Sequence, residues 1–114
     1  MSVAIYHNPR CSKSRQTLAL LEERNIQPEI ILYLDTPPSV EQLKALVSQL
    51  GISQVRDMMR VKESIYKELS LSDATNEQLY QAMTEHPKLI ERPIVVTNGK
   101  AKLGRPPEQV LEIL

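Results

Sequence analysis

The sequence predicts an α/β fold with a mixed four-stranded sheet, flanking helices and a helical insert. Three observations lead to this prediction. The first third of the chain alternates short β-rich runs with a helical pattern. The middle carries apolar residues at helical spacing, and the last quarter has two β-rich runs joined by Asn98-Gly99.

The first third predicts a βαβ unit. A strand is expected over about residues 3–6, a helix from about Ser12 to Asn25, and a second strand at Glu29–Tyr33. Strand, helix and strand within about thirty residues should place the two strands parallel, with a right-handed crossover between them.

Helices are predicted for the middle of the chain. Ser39, with Gln42 at capping-box spacing, begins a helix that Gly51 ends. Shorter helices are expected at Val55–Met59, at Ile65–Leu69 and after Thr75, which is followed by Gln78 at capping-box spacing. The Met and Leu stripes of these helices predict core packing and not a cofactor site.

The last quarter predicts a hairpin and a final helix. Asn-Gly between β-rich runs is a strong signal for a two-residue hairpin turn, here between Ile94–Thr97 and Lys100–Leu103. The final helix is expected to begin at Pro106, since proline is tolerated in a first helical turn.

The element order, βαβ followed by a helical insert and ββα, is that of a thioredoxin-like domain. We expect one such domain over residues 1–114. Pro93 lies directly before the third strand, where such folds often place a cis-proline. Its isomer stays open at this point, because X-Pro bonds adopt both states.

Charge and composition exclude several classes of protein. Fourteen basic residues balance fourteen acidic ones, so neither nucleic acid nor an anionic membrane is expected as a partner. A single cysteine excludes an intrachain disulfide. No export signal or membrane span is indicated, and a cytoplasmic monomer without a bound metal or cofactor is expected.

The single cysteine, Cys11, is the candidate nucleophile. It follows a strand and precedes a helix, so its sulfur should lie at the helix N-terminus, where N–H groups favour the thiolate and attract oxyanions. The side chains of Arg10, Lys13 and Arg15 are expected to lower its pKa further. The alternative is an inert buried cysteine, which these polar neighbours disfavour.

Several segments carry a family resemblance over nearly the whole chain. They are His7–Arg15, Leu32–Leu34, Arg60, Glu91–Val96 and Gly104–Glu108. In residue type, order and spacing they resemble the glutaredoxin-coupled arsenate reductases of bacteria. The resemblance implies a thioredoxin-like fold, arsenate as substrate, and glutathione with glutaredoxin as electron donors.

The resemblance also implies residue roles. The family nucleophile corresponds to Cys11, its oxyanion-binding arginines to Arg60, Arg92 and Arg105, and its helper residues to His7 and Ser14. Arginine suits a tetrahedral oxyanion because its planar guanidinium combines fixed charge with several donors. The alternative for each arginine is a solvated surface position.

The two helper residues have open alternatives as well. His7 is either an imidazolium that stabilises the thiolate or a neutral residue that hydrogen-bonds within the loop. Ser14 either donates to the sulfur or is an ordinary first-turn serine. His86, before Pro87, is expected at a helix end and outside the site.

The residues and the resemblance together support two alternative functions. In the first, the Cys11 thiolate attacks arsenic, and external thiols complete the reduction because the chain has no second cysteine. In the second, the chain is a thioredoxin-fold monothiol redox or regulatory binding protein with little arsenate activity. Ser14 stands where a Cys-x-x-Cys motif has its second cysteine, which disfavours a disulfide switch in either case.

Overall fold

The computed structural model describes residues 2–114, which form two compact units. One unit runs to Thr36 and resumes at Arg92–Leu114, and the other is Pro37–Glu91. The second unit corresponds to the predicted helical insert. That residues 1–114 form one domain stays a prediction. Within residues 2–114, no helix has the length and apolar composition needed to cross a membrane.

The first unit contains the predicted mixed sheet and its first helix. The elements are β1 Val3–Tyr6, α1 Ser12–Glu23, β2 Glu29–Ile31, β3 Ile94–Thr97 and β4 Lys100–Leu103. The strand order is β2-β1-β3-β4; β1 and β2 are parallel, whereas β3 is antiparallel to both β1 and β4. The predicted βαβ unit and hairpin are therefore confirmed.

The centre of this sheet is β1, and its apolar side chains form the core of the unit. Ile5 pairs with Ile30 on one side and with Val95 on the other, and it is fully buried. The core cluster consists of Val3, Ile5, Leu21, Val95 and Val110. Because β1 is paired along both edges, the loop that follows Tyr6 leaves from a fixed position.

Two elements of this unit are shorter than predicted. Helix α1 ends at Glu23 and not at Asn25, because Asn25 adopts a left-handed conformation (φ 61°). Strand β2 ends at Ile31, because the Leu32 carbonyl accepts the N–H groups of Asp35 and Thr36, each at 2.9 Å, and so forms a turn.

The hairpin turn and the C-terminal helix complete the unit. Asn98 and Gly99 both have positive φ, 55° and 73°, as a two-residue turn with both central residues left-handed requires. The last helix, Pro107–Ile113, is a 3-10 helix that follows Pro106. It forms i to i+3 bonds such as Gln109 N–H to the Pro106 carbonyl, at 3.0 Å.

The second unit contains three α-helices. They are α2 Val40–Leu50, α3 Ser64–Glu68 and α4 Asn76–Glu85. Both predicted capping boxes are present, one at Ser39 with Gln42 and one at Thr75 with Gln78. Gly51 ends α2 with φ 69°, and His86 lies at the end of α4 as expected. The predicted burial of the Met and Leu stripes is confirmed for α2, Val55–Met58 and α4, where Leu43, Met58, Leu79 and Met83 are each 0% exposed. It is wrong for the helix predicted at Ile65–Leu69, since α3 has no buried residue and Leu69 is 43% exposed.

The segment predicted as a helix over Val55–Met59 is a 3-10 helix that stops at Met58. Met59 is extended and forms an antiparallel bridge with Ile90. On either side of this bridge, the Arg60 N–H donates to the Leu89 carbonyl at 2.7 Å and the Glu91 N–H donates to the Met58 carbonyl at 2.8 Å. This pairing brings Arg60 beside Glu91.

Candidate functional site

The cysteine loop is a tight turn that connects β1 to α1. The Cys11 N–H donates to the Asn8 carbonyl at 3.0 Å, and the Arg10 N–H donates to the Asn8 side-chain oxygen at 3.0 Å. Cys11 has an extended conformation and occupies the N-cap position of α1. The predicted placement of the sulfur at a helix N-terminus is therefore confirmed.

Ser14 anchors the helix to the loop from inside the unit. Its hydroxyl lies 2.6 Å from Nδ1 of His7 and accepts the Asn8 N–H at 3.0 Å. Ser14 is 0% exposed and His7 is 6% exposed. The two predicted helper residues are thus hydrogen-bonded to each other, His7 at the start of the loop and Ser14 in the first turn of α1.

The pKa of Cys11 is lowered from its ordinary value. Partial burial raises it, as the largest single contribution, but the other contributions together outweigh burial. They come from the backbone N–H of Ser14, the guanidinium of Arg92 and the backbone N–H of Lys13. Hydrogen bonding from these N–H groups and from the guanidinium, together with the positive charge of Arg92, stabilises the thiolate over the thiol.

The source of this pKa shift differs from the prediction in one respect. The guanidinium responsible is that of Arg92, not of Arg10 or Arg15, and Lys13 acts through its backbone and not its ammonium. The side chain of Arg15 instead donates from Nη1 to the Pro9 carbonyl at 2.9 Å. Proximity in sequence pointed to the wrong cations, because side chains that follow each other in a first helical turn point away from one another.

The structure distinguishes between the two alternatives for His7, an imidazolium and a neutral hydrogen-bonding residue. Its pKa is lowered, first by burial and then by the positive charge of Arg15. A lowered pKa disfavours the imidazolium at neutral pH, so the structure favours the neutral hydrogen-bonding residue. Likewise, the Ser14 hydroxyl is engaged with His7 and Asn8, and only the Ser14 backbone N–H acts on the sulfur.

Arg92 and Arg105 each precede a cis-proline, Pro93 and Pro106 respectively. Nη1 of Arg105 donates to the Arg92 carbonyl at 3.3 Å. Nε of Arg92 is buried and makes no hydrogen bond of ordinary geometry within residues 2–114. The structure therefore brings Arg92 to Cys11 and links Arg105 to Arg92.

Gly104, to which the sequence analysis assigned no role of its own, makes this arrangement possible. Its N–H donates to the Pro93 carbonyl at 2.9 Å. A Cβ atom at this position would lie 2.5 Å from Oγ1 of Thr17 and 2.6 Å from Cγ of Pro93, closer than real contacts allow. The only sequence signal was a glycine directly before Arg105 at the end of a strand.

Arg60 belongs to the second unit, where two carboxylates contact it. Nη1 forms a short hydrogen bond with Oε1 of Glu63, and Nε lies 3.7 Å from Oε1 of Glu91. The first contact spans a turn, in which the Glu63 N–H donates to the Arg60 carbonyl at 3.1 Å. The second depends on the strand-like pairing around Met59 and could not be anticipated.

A cavity of about 310 Å³ opens beside the cysteine loop. It is lined by His7–Arg10, Leu32, Leu34 and Asp35. A larger cavity of about 910 Å³, around Asn25–Glu29 and Val96–Gly99, contains none of the candidate residues. Within residues 2–114, no group of three or more His, Cys, Asp or Glu side chains could hold a metal ion.

Known proteins with similar sequences and structures identify the family. The model of the ArsC family matches residues 6–113. A Haemophilus influenzae protein named arsenate reductase is 58% identical, over 100% of both chains. An Escherichia coli K12 protein described as uncharacterized is 59% identical, over 98% of this chain and 96% of its own.

A solved structure named as an arsenate reductase from Vibrio cholerae matches with a TM-score of 0.98 and 66% identity, and covers 100% of this chain and 98% of its own. The thioredoxin-like fold predicted from the element order is confirmed by this match. The chain belongs to the ArsC family.

Proposed function

We propose that this protein is an arsenate reductase in which Cys11 is the nucleophile and glutathione and glutaredoxin supply the electrons. One observation carries the proposal: Cys11 has a lowered pKa at the N-terminus of α1, with the Arg92 guanidinium beside it. A lowered pKa increases the share of the nucleophilic thiolate form, and the helix N-terminus is where an oxyanion is stabilised. The names of the relatives from Haemophilus influenzae and Vibrio cholerae support arsenate as the substrate.

The first step forms a bond between the Cys11 sulfur and arsenic. The thiolate supplies the electron pair, and one arsenate oxygen leaves as water after it takes up a proton. The buried Nε donor of Arg92 is suited to an arsenate oxygen, because a buried donor without an ordinary partner gains most from a charged acceptor. Arg105 and Arg60 are proposed as further oxyanion-binding residues from the family resemblance.

The reduction itself requires two external thiols. The chain contains one cysteine, so it cannot form the disulfide within itself. Glutathione forms a second sulfur–arsenic bond, and another arsenic oxygen leaves as water. A glutaredoxin thiolate then attacks the glutathione sulfur, so that a disulfide forms, the bond between that sulfur and arsenic breaks, and its electron pair reduces arsenic(V) to arsenic(III). Water finally cleaves the bond between Cys11 and arsenic, which releases arsenite and restores the Cys11 thiol. This use of cellular thiols fits a cytoplasmic protein.

A coupled assay tests the proposal. Arsenate is added to the protein with glutathione, glutaredoxin, glutathione reductase and NADPH, and NADPH oxidation is followed. We expect arsenate-dependent oxidation that the C11S variant lacks, and that S12A, a matched serine variant in the same turn, retains. Turnover that is absent, or that persists in C11S, would contradict the proposal. Absence of turnover with a reactive Cys11 would favour the monothiol redox or binding alternative.

A further inference from the structure

The cavity beside the cysteine loop lies where two parallel strands of the first unit end. One wall is His7–Arg10, which follows β1, and the other is formed by Leu32, Leu34 and Asp35, which follow β2. Ligands of α/β proteins commonly bind beyond the carboxyl ends of parallel strands, between the loops that leave them. The cavity volume of about 310 Å³ is at the lower end of the range of about 300–1,000 Å³ typical of small-molecule sites. Its position and size therefore suit a small molecule.

Hydrogen bonds fix both walls of this cavity. The His7 N–H donates to the Ile31 carbonyl at 2.9 Å, which holds the start of the first loop to the end of β2. In the second loop, the Leu32 carbonyl accepts the N–H groups of Asp35 and Thr36, each at 2.9 Å. A ligand therefore does not have to order these loops when it binds, which reduces the cost of binding.

The lining combines charges of both signs with apolar surface. Arg10 carries a positive charge and Asp35 a negative one, and within residues 2–114 neither forms a salt bridge. Leu32 and Leu34 are exposed. A ligand that complements this lining has a carboxylate for the guanidinium, an ammonium for the carboxylate, and an uncharged middle. A short peptide with free amino and carboxyl groups has all three.

The cavity also adjoins the nucleophile. Cys11 follows Arg10 directly, and its N–H donates to the carbonyl of Asn8, another lining residue, at 3.0 Å. A peptide in the cavity therefore lies beside the residue whose sulfur reacts, as a peptide that carries a thiol of its own must do.

We propose that this cavity is the binding site for glutathione. In this site a carboxylate of glutathione contacts Arg10, and the ammonium of its γ-glutamyl group contacts Asp35. The peptide between these ends packs on Leu32 and Leu34. This inference rests on the proposed function, in which glutathione forms a bond to arsenic at Cys11.

Exchange with disulfides tests the site without arsenic. The Cys11 thiolate attacks glutathione disulfide, so that a disulfide between Cys11 and glutathione forms and one glutathione thiolate leaves. The rate constant, followed by mass spectrometry, is divided by the rate constant for hydroxyethyl disulfide, which is uncharged and lacks the peptide. This ratio cancels any change in the intrinsic reactivity of Cys11.

We expect the ratio to fall roughly two- to fivefold in R10Q and also in D35N, because each variant loses one charged contact with the peptide. D35N separates a binding site from general attraction. Glutathione disulfide has a net negative charge, so loss of a carboxylate should raise the ratio if only long-range attraction acts. R24Q, at the far end of α1, and D73N, in the second unit, remove exposed charges outside the cavity and should match the wild type.

NMR locates the ligand independently of the exchange reaction. S-Methylglutathione, which has no free thiol, is titrated into the wild-type protein, and we expect its amide signals to shift at Asn8–Cys11 and Leu32–Asp35. Shifts that spare both loops, a ratio that is unchanged in R10Q and D35N, or a ratio that rises in D35N would each overturn the glutathione site. Urea unfolding confirms that each variant is folded.

The coupled assay distinguishes failure of this inference from failure of the proposed function. Arsenate-dependent NADPH oxidation by a protein that shows none of the expected effects means that the reductase function stands without this site. Conversely, if the ratio and the amide shifts behave as expected but turnover is absent, the glutathione site is right and arsenate is the wrong substrate.

Discussion

The guanidinium of Arg92 and the thiol of Cys11 interact directly, and this contact helps to lower the pKa of the thiol. Cys11 follows β1 and Arg92 precedes β3, two neighbouring antiparallel strands of the sheet. The positive charge that favours the thiolate therefore comes from a distant part of the chain, not from the basic residues around Cys11.

This contact predicts how alkylation of Cys11 depends on pH. The wild-type rate should rise along a titration curve whose midpoint lies below that of glutathione, because the folded protein stabilises the thiolate. R92Q should move the midpoint upward, whereas R10Q should leave it near the wild-type position. Iodoacetamide labelling followed by mass spectrometry measures all three. A midpoint that moves in R10Q and not in R92Q would restore the sequence-based expectation.

The stability of the protein should depend on pH through the same residue. The pKa of Cys11 is lower in the folded state, so the unfolded chain retains the proton to higher pH. The free energy of unfolding should thus rise with pH from the folded pKa to the ordinary thiol value. C11S should lack this rise. Urea unfolding at a series of alkaline pH values provides the measurement, and parallel curves for the two proteins would rule this linkage out.

His7 should make the free energy of unfolding depend on pH in the acidic range. Because burial and Arg15 lower its pKa, the unfolded chain binds a proton first as the pH falls below about 6.5. The free energy of unfolding should therefore decrease from about pH 6.5 downwards, until the folded pKa is passed. This decrease should be smaller in R15Q, which removes the neighbouring charge, and smallest in H7Q. Identical slopes in all three proteins would mean that His7 is not the group responsible.

Ser14 is expected to matter more for stability than its position in a first helical turn suggests. S14A removes a buried hydroxyl that is hydrogen-bonded to His7 and to the Asn8 N–H. We expect it to lower the free energy of unfolding by about 1–3 kcal/mol. The exposed Ser12 is the matched control, since S12A removes a hydroxyl from the same turn and should cost less than about 0.5 kcal/mol. Equal costs would show that the buried contacts contribute nothing.

Gly104 is predicted to tolerate no side chain. G104A places a Cβ against Thr17 and Pro93, and overpacking of this kind costs about 1–3 kcal/mol. Because Arg105 follows directly, we also expect weaker protection of Cys11 by arsenate. G51A is the control: Gly51 has positive φ but open space around it, so its cost of about 1 kcal/mol is conformational only. Unchanged protection in a folded G104A protein would separate Gly104 from the oxyanion site.

The sequence by itself determined those features that depend on neighbouring residues. The capping boxes at Ser39 and Thr75 and the Asn98-Gly99 turn involve groups within a few positions of each other, so their residue types are sufficient to predict them. The placement of Cys11 at the start of α1 is equally local. These short-range signals predicted the order of elements and the candidate nucleophile.

Only the tertiary structure decided which groups act on that nucleophile. Arg92 reaches Cys11 because β3 pairs with β1, and Arg60 meets Glu91 because the backbone pairs around Met59 and Ile90. Contacts of this kind depend on strand register and on side-chain direction, which residue type and spacing do not encode. For the same physical reason, the sequence left open whether the Ser14 hydroxyl donates to the sulfur, and the fold directs that hydroxyl to His7.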